Sequence, residues 1–496
     1  KDLLGATTIL AVALLVAGWR ISYLYGKEEA IRELEAKAAF ESFSTYAGAP
    51  PGDGPRRFAV GLNACLDLIV PAIEVFDVVG ADGSDIVARD HETIGTLEEL
   101  QEVFKYFFQK GGAGERTVRD ADVFRSIVSA ARGVEEQKIF VGGNAALMGL
   151  TIKDKELYLS KDRKGKSKQT VDVLMGGGVG PKLKTMLESR MTFSKDAILN
   201  EDDYHVILEY PMGATWGGVT SPRANRFIIS HDLTNAKMRT LEAFEDSAAQ
   251  FKPDVIVLSG LHMMEGEDPA FRSSRIEDFV KMLNTFPTTT PIHLELASMA
   301  NEKYVSEIVQ KVFPYVDSIG LNEQELELIS RASNGPHHTM VDDDSIADTA
   351  KVGETLNWVL KTFAGPENNS RLSRIHFHSL TFHVIAHLEH IWSNSKKAVV
   401  AGSWACSTRA CANETLAYDD VTLRLPQKFG ISSQYPNLEL DLLEAHQQSA
   451  VGWTRGDINF FLSPVYVCNT PRKTVGLGDT ISANGLFYSK FGPVGV

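Results

Sequence analysis

In the middle of the chain DVIVLSGL (Asp254–Leu261), SRIEDFVKMLN (Ser274–Asn284), PIHLELAS (Pro291–Ser298), NEKYVSEIVQKV (Asn301–Val312) and YVDSIGLN (Tyr315–Asn322) follow one another, and this alternation decides the fold class. The first, third and fifth are short runs of β-branched and aliphatic residues. They are apolar at successive positions, as strands covered on both faces are. The second and fourth repeat their apolar residues at helical spacing. Buried strands alternating with helices predict an α/β fold with a mainly parallel sheet flanked by helices.

The same reading extends outward to RFAVGLNACLDLIV from Arg57 and VDVLMGGGVG from Val171. A different texture appears at YHVILEY (Tyr204–Tyr210) and RFIISHD (Arg226–Asp232), two strand-like runs joined by a stretch holding MGATWGG. These predict an antiparallel pair within a smaller β-rich lid over the main sheet, drawn from about residues 68–125 and 190–232.

Residues 3–19 (LLGATTILAVALLVAGW) are uncharged and apolar and stop at Arg20. This length suits a membrane span or the apolar core of a signal peptide, so residues 1–26 are expected to target the chain or associate it with a membrane. Charges on both flanks leave the orientation open. Helix formers over 27–47 and the breaker run APPGDGP (Ala49–Pro55) predict a helix and linker over 27–55, leading into a body over 56–496.

A net charge of −14, with 44% hydrophobic and 23% charged residues, excludes a disordered chain and a protein that coats nucleic acid through a basic surface. Four cysteines are too few for a disulfide scaffold. Cys406 and Cys411 are close enough in sequence to predict one bridge across a loop, should the chain enter the endoplasmic reticulum or be secreted. Sequons at Asn368 and Asn413 would then meet the glycosylation machinery. The basic run KDRKGKSK (Lys161–Lys168) lacks the glycine a P-loop needs at Ser160, and reads as a solvated loop. The five histidines at 376, 378, 383, 387 and 390 have no cysteine among them and mix strand and helix spacing, which favours structural roles over a zinc site.

Open α/β sheets bind ligands at the carboxyl ends of their strands. There the sequence places Asn63 and Asp67, then Gly176–Gly178, Ser259–Gly260, His293 with Glu295, and Asn322 with Glu325. Near the C-terminus, Gly476 and Gly478 bracket a turn, Asp479 follows, and an apolar stretch runs through Ile481, Leu486 and Phe487. A helix starting there aims free N–H groups at the turn and forms an anion site. Asp479 is either the helix N-cap or a general base beside a bound phosphate.

GLGDTIS (Gly476–Ser482) resembles the G-x-G-D motif of ribokinase-like sugar kinases, and HLELAS and LNEQEL resemble their H-x-E and N-x-x-E motifs. Together with GLNACLD, GGNAALM (Gly142–Met148), MGGGVGPKL and RFIISHD in this order, the chain resembles the ADP-dependent glucokinases, the animal members in particular. The resemblance implies a ribokinase-like large domain with a lid, and transfer of the β-phosphoryl of ADP to the 6-hydroxyl of D-glucose, with ADP and glucose as partners of a monomer. It implies Asp479 as base, the Gly476–Asp479 amides as anion hole, and Glu295 and Glu325 as carboxylates for Mg²⁺. Asn322 and His293 would orient water or phosphate oxygens, and His378 would lie near the nucleotide. Asn63, Asp67, Glu115, Gly143, Asn144 and His205 would contact the sugar, and an acid at Glu115 favours glucose over a sugar phosphate. A same-fold kinase with another donor or sugar, and an inactive membrane-tethered sugar or nucleotide sensor, are the competing readings. A sensor has no use for a base beside a metal site.

Overall fold

A computed structural model describes residues 33, 35–48, 57–159, 170–232, 234–341, 347–425, 428–432, 439–441, 450–473 and 475–492. The apolar run at 3–19 and the basic run at 161–168 lie outside them. Among the described residues no helix is long and apolar enough to cross a membrane.

Seven strands are parallel in the order Thr192–Phe193, Asp172–Met175, Arg57–Leu62, Val255–Ser259, Ile292–Glu295, Ser318–Leu321 and Arg374–His378. Phe382–Leu388, Ile458–Pro464 and Val451–Arg455 extend the sheet in antiparallel fashion to ten strands. The central strands are buried along their whole length because both faces are covered. Leu241–Phe251, Pro269–Thr285 and Glu302–Lys311 supply apolar stripes on one side. Phe40 and Phe43 of the helix over 35–48, with residues of Ser395–Cys411 and Leu477–Tyr488, cover the other. Every side chain from Asp479 to Tyr488 is buried, so that last helix is enclosed on all sides.

The second sheet runs Thr93–Ile94, Gly114–Val118, Asn225–Ser230, Tyr204–Tyr210, Cys65–Pro71, Lys138–Gly142. Tyr204–Tyr210 and Asn225–Ser230 form the expected antiparallel pair. The sheet also recruits strands beginning at Cys65 and ending at Gly142, so it reaches beyond the expected 68–125 segment at both ends. One face is packed by helices through Leu68, Val70, Phe76, Phe104, Val206, Leu208 and Phe227. By alternation, Cys65, Asp67, His205 and Glu115 take the opposite face. The register agrees: Asp67 pairs with His205, while Ile69, Ile207, Ile228 and Glu115 pair in series across the sheet.

The expected Cys406–Cys411 bridge is corrected. Both residues lie on one continuous helix, Ser395–Cys411, where a spacing of five turns their side chains to different faces. Cys411 instead bonds Cys468, 57 residues on, and Cys406 is a buried free thiol. The histidine run is a β-hairpin. His376 and His378 stand on Arg374–His378, and His383 and His387 on its antiparallel neighbour, with no helical face between them.

Candidate active site

The helix Leu477–Tyr488 begins at Gly476, whose φ of +70° is a left-handed conformation that glycine adopts freely. No side chain caps it, so Asp479 is not the N-cap. The first intrahelical bond runs from the Thr480 N–H to the Gly476 carbonyl (3.1 Å). The N–H groups of Leu477, Gly478 and Asp479 therefore have no helical partner and mark the positive end of the dipole. Arg409 approaches the same turn and donates to the Val475 carbonyl at 3.4 Å. His378 packs against Gly478, where a β-carbon would stand 2.8 Å from its Cε1.

Asp479 is held from the start of another helix, Asn144–Leu159. Asn144 Nδ2 donates to Asp479 Oδ1 (2.9 Å), Asn63 Nδ2 donates to Asn144 Oδ1 (3.1 Å), and the Ala145 N–H donates to Asn63 Oδ1 (3.1 Å). This relay fixes both amides, so Asn144 can present only its NH₂ to the carboxylate. Gly143, just before that helix, lies against the Asn63–Ala64 backbone with φ +82°. Burial pushes the Asp479 carboxyl up to about 7, and the Glu295 charge adds to the rise. A carboxylate in that range is matched to taking up a proton near neutrality.

Glu295, at the end of Ile292–Glu295, has the opposite surroundings. Its Oε1 accepts from His378 Nε2 (3.2 Å) and Ser482 Oγ (3.0 Å), and its Oε2 accepts from His293 Nε2 (2.9 Å). Burial opposes its charge, yet the hydrogen bonds from His293 and His378 outweigh that and hold it down at about 2. Burial pulls His378 down as well, but contact with Glu295 raises it overall. Asn322 and Glu325 form a capping box on the next helix, with the Asn322 N–H donating to Glu325 Oε2 (2.7 Å) and the Glu325 N–H to Asn322 Oδ1 (3.0 Å). Burial pushes Glu325 up to about 7, with the Glu295 and Glu323 charges adding to the rise.

On the lid, Asp67 and His205 face each other across the strand pair, and Glu115 lies on the same face with its side chain exposed. Burial raises the Asp67 carboxyl. His205 rises well above its ordinary value because Cys65, Asp232 and Glu115 outweigh its burial. Asn235 joins lid and large domain by pairing with both the N–H and the carbonyl of Ala64 (3.2 and 3.1 Å). Asp232, which accepts from the Asn235 N–H (2.7 Å), lies 3.7 Å from His205.

The structure therefore brings Asn63, Gly143, Asn144, Glu295, Asn322, Glu325, His378, Gly476, Gly478 and Asp479 to one edge of the large sheet, and sets Asp67, Glu115 and His205 on the lid face. Ser482, Arg409, Asp232 and Asn235 were missed. Ser482 carried a signal, since it follows Asp479 by three residues on a helix and shares its face. Arg409 had none, because only the packing of two distant helices brings it to the turn.

Residues 56–488 match the ADP-specific phosphofructokinase/glucokinase conserved region. The chain is 40% identical over 440 residues to the ADP-dependent glucokinase of Bos taurus, covering 88% of this chain and 85% of that one. It is 33% identical over 495 residues to the Caenorhabditis elegans protein named "Probable ADP-dependent glucokinase", covering 97% and 94%. A structure titled as a hypothetical ADP-dependent phosphofructokinase from Pyrococcus horikoshii superposes with a TM-score of 0.63 at 15% identity, covering 88% of this chain and 98% of that one. At that identity the likeness concerns the fold, which is ribokinase-like.

Proposed function

Because the chain belongs to the ADP-specific phosphofructokinase/glucokinase family, we propose that it phosphorylates D-glucose at the 6-hydroxyl from ADP, releasing AMP, at the edge where the Leu477–Tyr488 helix begins. The observation that carries this is the placement of Asp479: a buried carboxylate at about 7, held by Asn144, in the first turn of a helix whose N–H groups are free. Asp479 takes the proton from the sugar hydroxyl as its oxygen bonds the β-phosphorus. The bond to the bridging oxygen breaks and its electron pair leaves on AMP. The free N–H groups and the Arg409 guanidinium lie where phosphoryl charge spreads.

Glu295 and Glu325 would hold Mg²⁺, in part through water, with Asn322 beside them. Their donors suit it: hard carboxylate oxygens, one kept ionised and the other raised by burial and like charge, so that a cation relieves both. Bound there, Mg²⁺ would neutralise charge on the diphosphate. His293 and His378 hold the Glu295 carboxylate in place. Asn63, Asp67, Glu115, Gly143, Asn144 and His205 enclose the sugar between lid and large sheet. One chain carries every one of these residues, so a monomer suffices. A coupled assay with glucose, Mg²⁺ and ADP or ATP in turn tests the reading. Turnover with ADP alone is expected, and equal rates with ATP, or none with glucose, would overturn it.

We also propose a lumenal location in the endoplasmic reticulum, because a Cys411–Cys468 disulfide persists in oxidising compartments and the sequon at Asn413 lies exposed just past the bridged helix. Expression in secretory cells should give a chain whose mobility rises on endoglycosidase treatment. An unmodified chain with four free thiols would count against it.

A further inference from the structure

Three side chains of different chemistry converge on the lid face. Cys65 and Asp67 are two apart on one strand and so point the same way, and His205 stands opposite Asp67 on the next strand. Room for them comes from Gly142, the cross-strand partner of Cys65. A β-carbon there would sit 2.1 Å from Asp67 Oδ1 and 2.8 Å from Cys65 Sγ. One ligand atom from each of the three residues lies within 4.8 Å of the others, and Cys65 Sγ is 3.7 Å from Asp67 Oδ1. Among the described residues His205 Nε2 is buried without a hydrogen-bond partner, and the Asp232 carboxylate is 3.7 Å from it.

We propose that Cys65, Asp67 and His205 form a Zn²⁺ site, and that its occupation excludes the sugar. A thiolate, a carboxylate and an imidazole are the donor types of three-ligand zinc sites, whose fourth position holds water. The sulfur and nitrogen disfavour Mg²⁺, which keeps to oxygen ligands. Zn²⁺ binding draws the three atoms inward by about an ångström to reach bonding distance. It displaces the thiol proton and one imidazole proton to solvent, because the metal takes a thiolate and a neutral imidazole. Exclusion of glucose rests on the reading above that Asp67 and His205 contact the sugar, whereas the metal site itself does not.

The test is titration of the full chain, with the Cys411–Cys468 bridge intact and Cys65 as a free thiol, with Co²⁺ and Zn²⁺ in the absence of reductant. The expected result is one equivalent of Co²⁺ with a sulfur-to-metal charge-transfer band that Zn²⁺ bleaches. Zn²⁺ should raise the apparent KM for glucose without changing kcat, and a chelator should restore it. Cys65 has no assigned part in phosphoryl transfer, so Cys65→Ser should retain glucose phosphorylation, lose the band and weaken Zn²⁺ inhibition by more than the roughly 10–100-fold that loss of an outer partner costs. Absence of the band in the parent protein would overturn the site without any variant, and so would an unchanged band in Cys65→Ser. If the band forms but glucose does not compete, the metal site stands, its exclusion of the sugar is overturned, and the sugar belongs elsewhere.

Discussion

Glu295 and Asp479 occupy the same edge of the same sheet and are almost equally sealed from solvent, 3% and 6% exposed, yet burial ends in opposite charge states. Glu295 sits among His293, His378 and Ser482 and is held at about 2, whereas among the described residues Asp479 has the single amide of Asn144 and rises to about 7. Burial sets the cost of a charge, and the number of donors turned toward it decides whether the charge survives. Two carboxylates driven apart in this way can divide the work, one as a fixed anion for a cation and one as a base working near neutrality.

The largest effect should follow from removing the base. Asp479→Asn keeps the shape and the helix start, so glucose affinity should stay within a few fold while turnover falls by about 10²–10⁴, the usual contribution of a general base. Turnover at the parental rate would place the base elsewhere.

Next comes the fixed anion. Glu295→Gln should raise the Mg²⁺ concentration needed for half-maximal rate by roughly 10–100-fold with a smaller change in glucose KM, and Glu325→Gln should do the same less strongly. Glu115→Gln should move glucose KM instead. Equal effects on both ligands from all three variants would dissolve the division between the two regions.

The pH profile sharpens the comparison. Asp479 must be ionised to act, so kcat/KM should rise with pH through about 7 in the parent protein. Asn144→Ala removes a hydrogen bond that favours the ionised form, and the midpoint should move upward by about one pH unit. A midpoint that stays in place would assign the titration to another group.

The smallest effect is on stability, where the two groups carry opposite signs. Asp479 titrates higher folded than its ordinary 3.8, so between about pH 4 and 7 the native state holds the extra proton and stability falls as pH rises. Glu295 titrates lower than its ordinary 4.5, so its stabilisation is present above that value and is lost as pH falls toward about 2. In the metal-free protein at pH 8, Asp479→Asn should therefore melt about 2 °C above the parent, and Glu295→Gln below it. The same sign for both would contradict the contrast.

Much of this edge was legible in advance. Strand ends after apolar runs carry Asn63, Glu295 and Asn322, and the G-x-G-D turn marks the helix start, because these are local patterns that the backbone converts directly into positions. Cys411 shows where that reading stops. Its nearest cysteine in sequence is on the same helix, and its partner Cys468 arrives only when a strand 57 residues later packs beside that helix. Asp67 was counted with the large sheet's strand ends, but it belongs to the lid strand Cys65–Pro71, since two strands follow each other there with only Asn63 and Ala64 between them.

What the amino-acid order determined alone is the α/β class, the parallel core, the antiparallel pair of the lid and the identities of the groups able to do chemistry, since periodicity and turn residues act over a few positions. Tertiary structure alone decided that Asn144 and Asn63 restrain Asp479, that among the described residues three donors surround Glu295 while one reaches Asp479, and which cysteines bond. Charge state and contact depend on groups brought together from up to 335 residues apart, a separation over which no local pattern carries information.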